Sequence, residues 1–101
     1  MISQELKKVA DYYGYEAQSN QLVEECAELI QAISKYRRAV LCKGQPVAEG
    51  VKVVALENIK EEIADVEVMI EQVKYLLQIS DDDIEAIKIF KENRTRERMC
   101  L

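Results

Sequence analysis

Two acidic pairs carry the chemistry this sequence offers. Glu25 and Glu28 stand three residues apart in Glu24-Glu25-Cys26-Ala27-Glu28-Leu29, and Glu62 and Asp65 repeat the spacing in Glu61-Glu62-Ile63-Ala64-Asp65-Val66. On a helix, residues three apart are neighbours on one face. Four carboxylates gathered at one place would offer hard oxygen donors to a cation such as Mg²⁺. Like charges held together cost stability unless a cation neutralises them, which gives such a gathering a reason to exist. The plain alternative is solvated surface charge, the ordinary state of Glu and Asp on helices of a Glu-rich chain.

The pairs meet only if the helices bearing them pack together. One helix is expected from about Asn20 to about Leu41, with a seam of Leu22, Cys26, Leu29, Ile33, Tyr36 and Val40 stepping four and three. Glu25 and Glu28 project roughly 60° and 120° to one side of it. A second helix, from about Ala55 to about Ile79, has the seam Leu56, Ile59, Ile63, Val66, Ile70, Val73 and Leu77. Glu62 and Asp65 lie at the same offsets on the same side. Gln21 and Ala32 share the first acidic flank, and Asn58 and Met69 the second. An antiparallel pairing of these helices would bring the carboxylates together.

Two further helices complete an all-α expectation of four. Ser3 to about Tyr13 carries Leu6, Val9, Ala10 and Tyr13 at helical spacing, with Gly14 to end it and Ser19 or Asn20 to cap the next helix. Lys43-Gly44-Gln45-Pro46 breaks the chain, and Val47 to Val54 reads equally as loop, extra turn or early helix start. Ser80 with Asp83 three later marks a last helix running to about Arg98, with Ile84, Ile87 and Phe90 inward.

Composition agrees with this plan. In 101 residues, 49% are apolar and 33% charged, with three Gly and one Pro, which suits one domain of long helices. A net charge of −5 argues against a nucleic-acid polymer as partner. With no His, imidazole catalysis and His-ligated zinc or iron are excluded. Cys26, Cys42 and Cys100 show neither metal nor redox spacing. The start Met1-Ile2-Ser3-Gln4-Glu5 has no leader character, and no apolar run approaches the roughly 18 residues of a membrane span. Reduced thiols in a cytoplasmic protein are the expectation.

The double motif closely resembles the Glu-x-x-Glu and Glu-x-x-Asp motifs of the MazG-like all-α nucleoside triphosphate pyrophosphohydrolases, a superfamily that includes dimeric dUTPases and phosphoribosyl-ATP pyrophosphohydrolases. The resemblance runs through Gln21, Lys35, Arg37 or Arg38, Asn58 and the basic tail, and covers most of the chain except Lys43 to Val54. It implies a four-helix MazG-like bundle completed by homodimer or homotetramer formation. It implies a nucleotide substrate and Mg²⁺, with Mn²⁺ able to substitute. Glu25, Glu28, Glu62 and Asp65 would hold the metal, and Glu24 and Glu61 would stand behind them or orient water. Gln21, Lys35, Arg38 and Asn58 would meet substrate. The reaction would split a nucleotide between its α and β phosphates, in a house-cleaning role.

Lys91, Arg94 and Arg98 share one helical face. They suit the departing phosphates, as Arg forks do, or simply complement the helix dipole. Asp81-Asp82-Asp83 reads as dipole-matched acids at a helix start. Tyr12, Tyr13 and Tyr15 read as packing aromatics with wet hydroxyls, and Cys26 as core. A non-enzymatic helical interaction module is the alternative of a different class, and a phosphoribosyl-ATP pyrophosphohydrolase the close enzymatic one.

Overall fold

The computed structural model describes residues 1–41 and 49–100. Three helices carry most of them: α1 (Gln4–Leu41), α2 (Glu49–Leu76) and α3 (Asp81–Arg98). No strand occurs among the described residues, so the all-α expectation is met. The expected break at Lys43–Pro46, with Cys42, lies outside them.

The expected first and second helices form one 38-residue element, interrupted at Gly14, whose φ of 84° and ψ of 171° are not helical. That region is open essentially to glycine. A Cβ there would meet nothing within 4 Å, so the backbone dihedrals, not crowding, require the glycine. Gly14 kinks the helix where an end was expected. The helix resumes at once, which places Ser19 and Asn20 inside it. Neither caps. The Ser19 hydroxyl donates back to the Glu16 carbonyl at 3.1 Å, a common habit of serine within a helix.

Helix α2 starts at Glu49, six residues before the expected point, and its valine-rich opening is helical. β-Branched residues lower helix propensity only slightly, and the packing of Ala55, Val66 and Met69 outweighs that. The helix stops without a glycine. Gln78 takes a positive φ of 57°, Ile79 N–H donates to the Lys74 carbonyl at 2.9 Å, and Gln78 N–H donates to the Tyr75 carbonyl at 3.1 Å. This is the reversed pairing of a Schellman ending. Ser80 then caps α3 as expected, its Oγ accepting from Asp83 N–H at 3.1 Å.

Helices α1 and α2 pack as an antiparallel hairpin. Small residues set their approach: Ala10, Ala32 and Ala55 are buried, with Val66 and Met69. Between them the Gln18 amide donates to Gln72 Oε1 at 2.7 Å, both side chains buried. The Gln72 amide donates in turn to the Val68 carbonyl at 3.4 Å, so the buried Gln72 has partners at both ends and the pair pins the helix register. From that pair, ten residues along α1 leads to Glu28 and ten back along α2 to Glu62, whose carboxylates meet.

Two expectations fail in the packing. The seams taken as core are only partly buried: Ile33 and Val40 on α1, and Leu56, Ile63, Ile70 and Leu77 on α2, are exposed. Each helix is turned so that its acidic edge, rather than the middle of its apolar stripe, faces the other. Helix α3 lies against neither α1 nor α2. Ile87 and Phe90 are exposed rather than inward, and Ile84 is half-buried. Among the described residues there are three helical elements, the first of them two helical stretches joined at Gly14, and of the three only α1 and α2 pack together.

Candidate metal centre

The hairpin register decides which acids meet. Glu25 falls on the inward line of α1, one heptad from buried Gln18 and one from buried Ala32. Glu62 falls on the inward line of α2, one heptad from both Ala55 and Met69. Both are half-buried, and Glu28 completes the group from the exposed edge of α1. Carboxylate oxygens of Glu25, Glu28 and Glu62 lie within 4.8 Å of one another. Ligand oxygens around Mg²⁺ stand about 2.9 Å apart when adjacent and about 4.2 Å when opposite, from Mg–O bonds of about 2.1 Å, so small side-chain rotations would close the three on one ion.

The electrostatics of this group are uncompensated. Glu25 Oε2 and Glu62 Oε2 are buried and receive no hydrogen bond. Gln21 Nε2 donates to the other Glu25 oxygen at 2.7 Å, fixing that carboxylate. Among the described residues, no lysine or arginine forms an ion pair with any of the three. Repulsion from Glu25 first, and then from Glu62, pushes the Glu28 carboxyl above the usual carboxylate range. Buried carboxylate oxygens with neither donor nor counter-charge are costly, and a divalent cation supplies what they lack. Oxygen-only donors suit a hard cation rather than a soft one.

The remaining expected site residues spread around this core. Asp65 stands level with Glu25, one turn along α2 from Glu62, but is exposed, and its carboxylate is not among the three that converge. Glu24 and Glu61 are exposed beside them, also outside the group. Gln21 touches the site through Glu25. Lys35 and Asn58 line an adjoining groove of about 640 Å³, walled by Ala32, Ala39, Gly50, Val51, Val54 and Ala55. Arg38 lies in the last turn of α1, exposed.

Lys91, Arg94 and Arg98 ride on α3, which does not approach the acids. Arg94 lies over the Phe90 ring at 5.9 Å. Asp81 is tied to Lys74 Nζ at 2.6 Å, in keeping with a structural role for the acidic helix start. Tyr12 and Tyr13 pack edge to face at 4.9 Å, both exposed, as is Tyr15. Cys26 is half-buried rather than core. The groove and the buried Gln18–Gln72 pair were not foreseen. Alanine at Ala32, Ala39 and Ala55 hints at the groove, and nothing in the sequence distinguishes Gln72 from its polar neighbours.

No family model, curated protein or solved structure matches this chain.

Proposed function

We propose that this chain is a Mg²⁺-dependent nucleoside triphosphate pyrophosphohydrolase, cleaving between the α and β phosphates to give monophosphate and pyrophosphate. What supports it most is the convergence of Glu25, Glu28 and Glu62 around buried carboxylate oxygens that have no donor. The motif spacing shared with MazG-like enzymes supplies the reaction class. A bound Mg²⁺ would screen phosphoryl charge and lower the pKa of its water. Glu25, Glu28 and Glu62, with Asp65 as the fourth carboxylate, would hold the ion, and Gln21 would keep Glu25 aimed at it. Glu24 and Glu61 would orient the attacking water or accept its proton. Lys35, Arg38 and Asn58 would meet the nucleotide from the groove side, and Lys91, Arg94 and Arg98 the departing phosphates. A homodimer or homotetramer acting on the nucleotide pool of the cytoplasm belongs to the same reading.

The test is pyrophosphate release from a panel of canonical, deoxy- and modified nucleoside triphosphates, with Mg²⁺ or EDTA, by wild type and Glu62→Gln. Release that needs Mg²⁺ and falls by more than about 100-fold in Glu62→Gln is the expected result. Equal activity of the two proteins would refute the site. The isolation of α3 from the hairpin favours a second reading, a helical interaction module without catalysis. That reading predicts silence across the panel, phosphoribosyl-ATP included.

A further inference from the structure

Apolar contact does not by itself fix how α1 and α2 align. Leu22, Leu29 and Tyr36 recur every seventh residue along α1, and Ile59, Val66 and Val73 do the same along α2, all buried or half-buried. A slide of one heptad, about 10 Å, would replace each of these contacts by another of the same kind.

Charge argues against the alignment that is observed. Gln18 bonds Gln72, so Glu28, ten residues on, stands level with Glu62, ten residues back, and Glu25 stands level with Asp65. This gathers Glu25, Glu28 and Glu62 within 4.8 Å, and among the described residues no lysine or arginine pairs with them. Like charges so placed repel. A one-heptad slide would bring Lys35 level with Glu62 and Gln72 level with Glu25, exchanging repulsion for attraction. Without a cation, both the acids and the seam would permit that slide.

The buried amides oppose it. Gln72 is 2% exposed and Gln18 7%, and the bond between them is 2.7 Å long. The Gln72 amide is held from behind by the Val68 carbonyl and the Met69 sulfur. A slide would break the pair and strand two buried amides, whose desolvation is not recovered without a partner. A single polar position in an apolar seam sets the register of coiled coils by the same means. Among the described residues the other side-chain hydrogen bond between α1 and α2 joins Tyr75 to Asp11, which is exposed and lies beyond Gly14.

We propose that Gln18 and Gln72 are positioning residues for the acidic triplet: their buried hydrogen bond holds the hairpin in the register that gathers Glu25, Glu28 and Glu62 before any cation arrives. The proposal rests on the reading of the triplet as a cation site, and not on which nucleotide is cleaved. The pair touches neither the ion nor its ligands and acts only through the alignment of the helices.

The test replaces both glutamines, Gln18→Met together with Gln72→Met, so that no buried amide is orphaned while volume and helix propensity are kept. Spin labels on Glu16→Cys and Glu57→Cys, at two exposed positions, report the register in a full chain whose native cysteines are replaced by serine. In the observed alignment these positions stand about 25 Å apart along the hairpin, and a one-heptad slide changes that by about 10 Å. Without cation, the chain with both glutamines is expected to give one narrow distance, and the methionine pair a second or broadened one at unchanged helical circular dichroism. Calorimetric titration with Mg²⁺ is expected to show at least about tenfold weaker affinity in the methionine pair. A distance that does not move, or an equal Mg²⁺ affinity in the two proteins, overturns the proposal. So does loss of helicity in the methionine pair, which would make the glutamines a support of the fold rather than of its register. A distance that moves in a protein that binds no Mg²⁺ even with its glutamines would refute the cation reading and uphold the register lock.

Discussion

Glu28 illustrates how a group in the open can be perturbed by its neighbours. Glu25 and Glu62 hold its carboxyl protonated to higher pH in the folded chain than in the unfolded one. Below the unfolded-state carboxylate range the group is neutral in both states and carries no penalty. As pH rises through the raised folded-state value the charge appears, and the folded state loses that increment of stability. Glu28→Gln should therefore raise the melting temperature near pH 7 without metal, and leave it unchanged near pH 3, below the carboxylate range. Thermal melts of both proteins at the two pH values check this, and a neutral-pH melting temperature that falls would contradict it. Which of the acids meet is set by the hairpin register, which the offsets do not fix, but their matching spacing was legible in the sequence. The absence of Asp65 from the convergent group was not, since the offset fixes where a Cβ points and leaves the rotamer open.

At the scale of elements, period-3.6 patterning identified the helices that pack together, because an apolar stripe is needed wherever a helix packs, while α3 was marked by its Ser80 cap. It did not identify which edge of the stripe is used. The stripe of α2 spans Leu56 to Leu77, and hydropathy alone does not tell the edge covered by α1 from the edge left for another surface. Glu25 and Glu62 were read as flanking groups and lie on the inward line instead. Gly14 was read as a stop, and its non-helical dihedrals do separate two helical stretches there; what the sequence did not convey is that the second stretch resumes at once, with no loop between them. Gly14→Ala should destabilise the hairpin by about 1–3 kcal/mol, the order of cost for a side chain in that backbone region. Urea unfolding followed by circular dichroism measures it. A loss below a few tenths of a kcal/mol would mean that the kink is not maintained in solution.

For the whole molecule, the sequence indicated one all-α domain with long apolar seams. In the structure one face of the α1–α2 hairpin is exposed and apolar, and the other is acidic. What the sequence could not convey is the separation of α3. A helix such as Asp81–Arg98, rich in charge around Ile84, Ile87, Ile89 and Phe90, reads the same whether packed or free. The basic residues assigned to phosphate therefore stand apart from the acids within one chain.

Glu25, Glu28 and Glu62 holding one divalent cation together is the point on which the functional reading turns. Thermal melting of wild type and Glu62→Gln, each at fixed protein concentration with and without Mg²⁺ at constant ionic strength, tests it most directly. A ligand that binds only the folded state adds about 2.7 kcal/mol at a hundredfold excess over its dissociation constant, and in a domain of this size each kcal/mol moves the melting temperature by roughly 4–8 °C. A rise of that order is expected in wild type, lost in Glu62→Gln and diminishing as pH falls into the range where Glu28 is protonated. An unchanged wild-type melting temperature, or an equal rise in both proteins, would contradict it.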